Sequence, residues 1–534
     1  MNKLIKVLIA VIFTFLLCIN LFIASSSAQN PPHTLVGVTE RVSVASDGTQ
    51  GNWGSYDSSI SADGRYMAFE SWASNLVVGD TNGLADIFVH DRVTGETILV
   101  SVASDGTQGN DFSFFPSIST DGRFVAFVAR ASNLVEGDTN DCEDIFVHDR
   151  VIGETTRVSV SNNGTQADFP SFYPTISADG RFVAFPSLAT NLVVGDTNGV
   201  IDVFVHDRVT NETTRVSVAG DGTQGNNWSF SVSISADGRY VAFNSGSDNL
   251  VVGDTNVSED IFVKDRVTGE TTRVSLASDG SQGNDHSQTP SISADGRYVA
   301  FPSRATNLVA GDTNGLEDIF MHDRVTGETI LVSVASDGTQ GNDFSFDPSI
   351  SADGRYVAFE SASSNLVVGD TNDYINVFMH DRVTGETSLV SVASDGSQGN
   401  SGSYHPSMSA DGRYLAFSSS ATNLVLGDTN NETDIFVRDR EGLVVGYSVS
   451  GHVTDLGGNP LPGVSISAGY GYSAITDSQG DYTITGLQSG TYWVTASLTD
   501  SSFIPFRRTV SVPPERVGIN FTEGFPAFLP LMGR

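Results

Sequence analysis

The chain has two cysteines in 534 residues, 28 lysines and arginines against 63 aspartates and glutamates, and no stretch with helical periodicity. Each shortage excludes something. Cys18 lies in an apolar leader and Cys142 stands alone, so no internal disulfide staples the fold and stability must come from packing. A formal net charge of −35 repels phosphate backbones and no basic patch offsets it, so a nucleic-acid partner is not expected. Catalytic signatures are missing too: there is no Gly-x-Ser-x-Gly elbow, no His-Glu-x-x-His and no phosphate loop. Acid pairs arise by chance in so acidic a chain, so no glycosidase dyad is nominated.

What is present begins with a leader. Lys3 and Lys6 precede an apolar run from Val7 to Ala24, and Ser26-Ser27-Ala28 offers small residues for cleavage. Residues 1–28 read as an export signal cut before Gln29; an uncleaved anchor is the alternative, because the run approaches bilayer length. After cleavage no stable membrane span is expected, and the protein would be periplasmic, on the cell surface or secreted.

Beyond a linker at 29–37, an Asp-Gly-Arg turn returns seven times, at Asp63, Asp121, Asp179, Asp237, Asp295, Asp353 and Asp411, each 58 residues after the last. So strict a period marks a repeat architecture. Each copy holds four strand-like stretches, as in Pro116–Ser119, Arg123–Phe127, Ile145–His148 and Thr156–Val160. Several are apolar on both faces, as sheets stacked like blades require. The fold class is therefore all-β: a seven-bladed propeller of four-stranded blades over residues 38–445, followed by a small β-sandwich. A lone strand near residues 40–45 precedes the first full copy, and the seventh copy lacks its fourth strand. The early strand is expected to pair beside residues 434–438 and close the ring.

The phrase Ser-Ala-Asp-Gly-Arg-Tyr-Val-Ala-Phe, followed by Asp-Ile-Phe-Val-His-Asp-Arg, resembles the WD40-like repeat of the TolB family, and all seven copies carry it. That resemblance implies a protein-binding platform. Residues 446–523 change character, with Pro460-Leu-Pro-Gly-Val-Ser-Ile-Ser467 and Gly490-Thr-Tyr-Trp-Val-Thr-Ala496. They resemble the carboxypeptidase regulatory-like, or transthyretin-like, domain, which implies a non-catalytic spacer or binder. Residues 524–534 form an apolar tail too short to span a membrane.

Two sets of candidate site residues follow. The segments entering the innermost strands differ most between copies and carry Trp53, Tyr56, Phe112, Phe114, Phe172, Trp228, Phe230, His286, Phe344, Tyr404 and His405. At a channel mouth such rings could stack on sugars or grip a peptide, or could simply wedge between blades. The Gly-Asp-Thr-Asn loops align Asp80, Asn82 and Asp86, then Asp138, Asn140 and Asp144, then Asp196, Asn198 and Asp202. Oxygens at this spacing suit calcium, and backbone-capping turns explain them equally. No other cofactor is expected. His90, His148, His206, His322 and His380 resemble a metal ladder, but Lys264 and Arg438 take the same position in other copies, so they read as polar strand ends. The function expected is an exported, non-enzymatic scaffold binding a protein partner. A polysaccharide-binding protein is the alternative, and a propeller-type glycan hydrolase or lyase the third reading.

Overall fold

The Asp-Gly-Arg turn is the joint between neighbouring sheets. In a computed structural model the chain is described over residues 37–441, 447–469, 472–487, 490–498, 501–512 and 516–524. The expected export signal, the linker before residue 37 and the tail beyond residue 524 lie outside these. Asp121 accepts the Ser119 hydroxyl at 2.7 Å and the Arg123 N–H at 3.0 Å, which fixes the turn. Gly122 then sits at φ +73°, where a Cβ would come within 2.1 Å of the Tyr66 ring of the preceding blade. Only glycine allows that approach. Tyr66 lies between two guanidinium groups, Arg65 at 4.7 Å and Arg150 of the next blade at 4.5 Å. Arg123 completes the joint by gripping Asp149 with three bonds, of 2.9, 3.1 and 2.6 Å. The same stack recurs around the ring, down to Arg92 over Tyr414 at 4.5 Å.

Each blade is a four-stranded antiparallel sheet. In blade 1, strands A to D are Ser55–Ile60, Tyr66–Ser71, Asp86–Asp91 and Glu96–Leu99, counted outward from the channel. Strands B and C are buried on both faces, with Met67, Ala68, Phe69, Ile87, Phe88 and Val89 all at 0 % exposure. Apolar clusters occupy all seven junctions, such as Val42, Phe69 and Phe88 against Ala416, Ile435 and Val437 where blades 7 and 1 meet. Burying one phenylalanine contributes about 1.5–3 kcal/mol, whereas an exposed ion pair contributes about 0–1 kcal/mol. The packed junctions therefore supply most of the cohesion.

Closure follows the expected route with a small shift of register. Val38–Arg41 pairs antiparallel with blade 7, Val38 opposite Asp439 and Arg41 opposite Phe436, and supplies its fourth strand. The ladder ends just after Val42, whose N–H reaches Ile435 O at 2.8 Å. At the A–B turns the ring also closes through backbone alone. Ala62 donates to Thr120, which donates to Ala178, and the chain runs on through Ala236, Ala294, Ala352 and Ala410 back to Ala62, every bond 2.9–3.1 Å. Seven neighbours about 4.8 Å apart make a circle about 11 Å across, so the channel narrows at this end.

The second module is a pair of four-stranded sheets. One contains Tyr447–Thr454, Asp481–Leu487, Ser502–Ile504 and Phe521–Gly524, with Tyr447–Thr454 and Phe521–Gly524 parallel. The other contains Ser465–Gly469, Tyr472–Ile475, Gly490–Ser497 and Arg507–Val512. Between them lie Val449, Ile466, Ile484, Tyr492 and Val494, all at most 1 % exposed.

Candidate functional site at the channel mouth

Strand A breaks its own ladder, and that break builds the site. Between Tyr56 and Ser58 the register with strand B slips, as it does after Phe114, Phe230, Phe346 and Tyr404. The residue at the slip has a left-handed backbone in every blade: Asp57, Phe115, Tyr173, Ser231, Thr289, Asp347 and His405, at φ +33 to +53°. None is glycine, so each costs on the order of 1–3 kcal/mol that the surrounding sheet must offset. Bulges of this kind re-aim side chains. These seven line a cavity of about 580 Å³ in the loop-rich half of the channel.

The ring has two unlike arcs. One is aromatic: Phe115 meets Tyr173 at 4.2 Å and Tyr173 meets Phe230 at 5.4 Å. It extends outward through Phe114, Phe112 and Trp72, with centroids 5.3–6.1 Å apart. The other arc is ionic and spans blades 6, 7 and 1. His405 Nδ1 lies 3.3 Å from Asp347 and 3.8 Å from Glu360, and its Nε2 lies 3.8 Å from Asp57. Glu360 also accepts the backbone N–H of His405. Glu70 holds the equivalent place in blade 1, takes the Phe115 N–H, and among the described residues no donor reaches its second oxygen.

Burial sets the charges here. Glu70 and Glu360 are 6 % and 1 % exposed. Burial, with Asp57 beside Glu70 and Asp347 beside Glu360, pushes both carboxyls up to about 8. Burial raises Asp57 as well. For His405 burial works against the charged ring, yet the hydrogen bond to Asp347 and the nearby carboxylates lift it to about 9. Near neutrality the glutamates keep their protons, and an imidazolium sits between two aspartates. Asp347, Glu360 and His405 offer ligand atoms within 4.8 Å of one another and could hold one cation.

Of the aromatics singled out from sequence, Phe230 and His405 line the cavity, while Phe112, Phe114 and Phe172 join its aromatic arc through ring contacts. Trp53, Tyr56, Trp228, His286, Phe344 and Tyr404 lie outside the lining, several of them well exposed. Sequence reasoning missed Asp57, Phe115, Tyr173, Asp347, Glu70 and Glu360. Their signal is a repeat column that differs from copy to copy, set between near-constant neighbours for Glu70 and Glu360 and between columns that themselves vary for the rest. Among the calcium candidates, Asp138 and Asp144 are met by Arg157, and Asp196 and Asp202 by Arg215, at 3.2–3.6 Å. Asp80, Asn82 and Asp86 have no such arginine among the described residues. The histidines of strand C are buried, each with Nδ1 2.8–2.9 Å from a threonine hydroxyl.

No curated protein sequence matches the chain. Among solved structures, an oligogalacturonate lyase in complex with manganese aligns at TM-score 0.48 and 13 % identity, covering 76 % of this chain and 96 % of its own. TolB from Acinetobacter baumannii aligns at TM-score 0.35 and 16 % identity, covering 66 % and 76 %. A putative TolB from Agrobacterium tumefaciens gives 0.35 and 15 %, covering 57 % and 87 %. These are distant likenesses and carry nothing about chemistry. Residues 448–522 match the carboxypeptidase regulatory-like domain, and the chain is a seven-bladed β-propeller followed by a domain of that kind.

Proposed function

We propose that this is an exported, non-enzymatic binding protein that receives a protein segment at the propeller mouth. The observation that supports this reading is the ring of seven left-handed residues, which differ between otherwise repeated blades and surround one cavity. A side chain entering there meets Phe115, Tyr173 and Phe230 along one wall and two carboxylates against one imidazolium on the other. That balance favours a long side chain with a basic head, lysine or arginine, and the net charge of −35 favours a basic partner at longer range. Among the described residues no helix is long and apolar enough to cross a membrane. The continuous run of ring contacts from Trp72 to Phe230 favours a second reading, a polysaccharide lying across the mouth.

Panning the full chain against a displayed peptide library and a glycan array separates the two. The expected result is enrichment of lysine- or arginine-bearing peptides, with affinity falling at least tenfold, about 1.4 kcal/mol or more, in Asp57→Asn/Asp347→Asn and in Tyr173→Ala. Glycan binding without peptide binding would overturn the protein-partner reading in favour of the second.

A further inference from the structure

Away from the mouth, the start of strand C repeats a pair of buried aspartates, and the blades neutralise that pair in different ways. In blade 2, Arg157 Nη1 lies 3.2 Å from Asp138 and 3.4 Å from Asp144. In blade 4, Arg273 lies 2.9 Å from Asp254 and 3.3 Å from Asp260. In blade 7 the closing strand supplies the cation, Arg41, at 3.2 Å from both Asp428 and Asp434. Blade 3 follows with Arg215 at 3.4 and 3.6 Å. Blade 6 has leucine in place of the arginine, Leu389, and exchanges one acid for Asn376, so a single carboxylate remains, Asp370.

Blades 1 and 5 do neither. Their strand D positions are Leu99 and Leu331, and both acids are retained. Asp80 and Asp86 are 9 % and 0 % exposed, and Asp312 and Asp318 are 7 % and 0 %. Among the described residues no lysine or arginine reaches either pair. An uncharged amide bridges them instead: Gln108 Nε2 lies 2.8 Å from both Asp80 and Asp86, and Gln340 Nε2 lies 2.8 Å from Asp312 and 2.7 Å from Asp318. Among the described residues no hydrogen-bond donor reaches one oxygen of Asp312. Two buried carboxylates without a counter-charge are costly, because desolvation removes what water supplied.

The glutamine has a second seat. In blades 2, 4 and 7 the equivalent amide nitrogen turns to a threonine hydroxyl, at 3.1, 3.1 and 2.9 Å, whereas in blade 3 Gln224 stays 2.8 Å from Asp196 and Asp202 beside the more distant Arg215. An incoming cation could displace Gln108 and Gln340 in the same way. The atoms it would meet are the carboxylate oxygens of the pair; beside the first pair Asn82 donates its amide nitrogen to Asp86 at 2.8 Å and to the Gly109 carbonyl at 3.1 Å. Paired carboxylates suit a hard divalent ion with flexible coordination.

We propose that blades 1 and 5 each bind one hard divalent cation, calcium in class, between Asp80 and Asp86 and between Asp312 and Asp318, where an arginine nitrogen lies in sister blades. Of the three loops whose spacing suits calcium in the sequence, only that of Asp80 and Asp86 lacks an arginine, and the pair Asp312 and Asp318 joins it. The proposal is independent of what the mouth binds.

The experiment is calcium titration of the chelator-stripped full chain by calorimetry, with thermal melts in parallel. Two equivalents per chain and a calcium-dependent rise in Tm are expected. Leu99→Arg/Leu331→Arg should lose both equivalents and, without calcium, melt above the parent chain. Arg157→Leu should gain a third. Should the added arginines disturb folding, Asp86→Asn/Asp318→Asn copies the solution of blade 6 and should lower affinity at least tenfold. Absence of saturable binding by the parent chain overturns the proposal. So does binding that both double variants leave intact and His405→Ala removes, which would place the ion at the mouth.

Discussion

A glycine that touches a neighbour's ring makes a sharper prediction than one that merely turns a hairpin. Gly122 combines a left-handed φ with a Cβ position 2.1 Å from Tyr66, and neither fault can be relieved without parting two blades. Gly122→Ala should destabilise by roughly 2–4 kcal/mol, read as a lower urea midpoint at constant slope. Gly106, equally left-handed but with nothing within 4 Å, serves as the control and should lose less. The turn itself was legible in Asp121-Gly122-Arg123, because aspartate and glycine announce tight turns. Its contact with Tyr66 was not, since nothing local links residues 56 positions apart. The mouth was half legible for a related reason. Aromatic bulk drew attention to Trp53 and Phe344, whereas orientation into the channel is set by a backbone slip that composition does not reveal. Comparing copies column by column would have added Asp57 and Asp347 to His405.

Strand C carries a pH response. Burial holds His206 and His322 down to about 4 and lowers His90, His148 and His380 as well. An unfolded histidine titrates near 6.5, so the neutral ring is the one the fold favours. The stability this confers is complete above pH 6.5 and is lost as pH falls toward 4. The expected loss is on the order of 1–3 kcal/mol for each of His206 and His322. Asp86 and Asp144, pushed up to about 6 mainly by burial, act in the opposite sense, because acid relieves their cost. The comparison that isolates the histidines is therefore parent against His206→Gln, with urea midpoints at pH 7 and pH 4.5. The variant should lose less stability on acidification, and an equal loss in both proteins would contradict this account. That these rings are structural was readable from Lys264 and Arg438 standing at the same position. Lys264 makes the point directly, since its ammonium donates to Gly269 O at 2.7 Å and to the Thr271 hydroxyl at 3.1 Å.

At the scale of the whole molecule, four residues complete the last blade and help to hold the circle shut. Removing Val38–Arg41 would bare the edge of Asp434–Asp439, strip Arg41 from Asp428 and Asp434, and free the bond from the Thr39 hydroxyl to Val392 O. The truncated protein should melt in a broader transition and self-associate through the exposed edge, seen by calorimetry and by light scattering; a monomer with an unchanged melt would show that the ring does not depend on this strand. Blade number and closure were legible because period and phase are global properties of the sequence. The site is global as well, but it depends on which copies become neighbours, and the first and seventh do so only when the ring closes.

That adjacency bears on how the protein is made. Asp57 enters with the first copy, while Asp347 and His405 come with the sixth and seventh, almost the full length of the ring later. A nascent chain, a proteolytic fragment or an unlatched circle holds every strand needed for most blades and still lacks the ionic half of the pocket. Ligand capture is thereby reserved for molecules that have been synthesised through the seventh copy and fastened, so occupancy of the mouth doubles as an inspection of completeness.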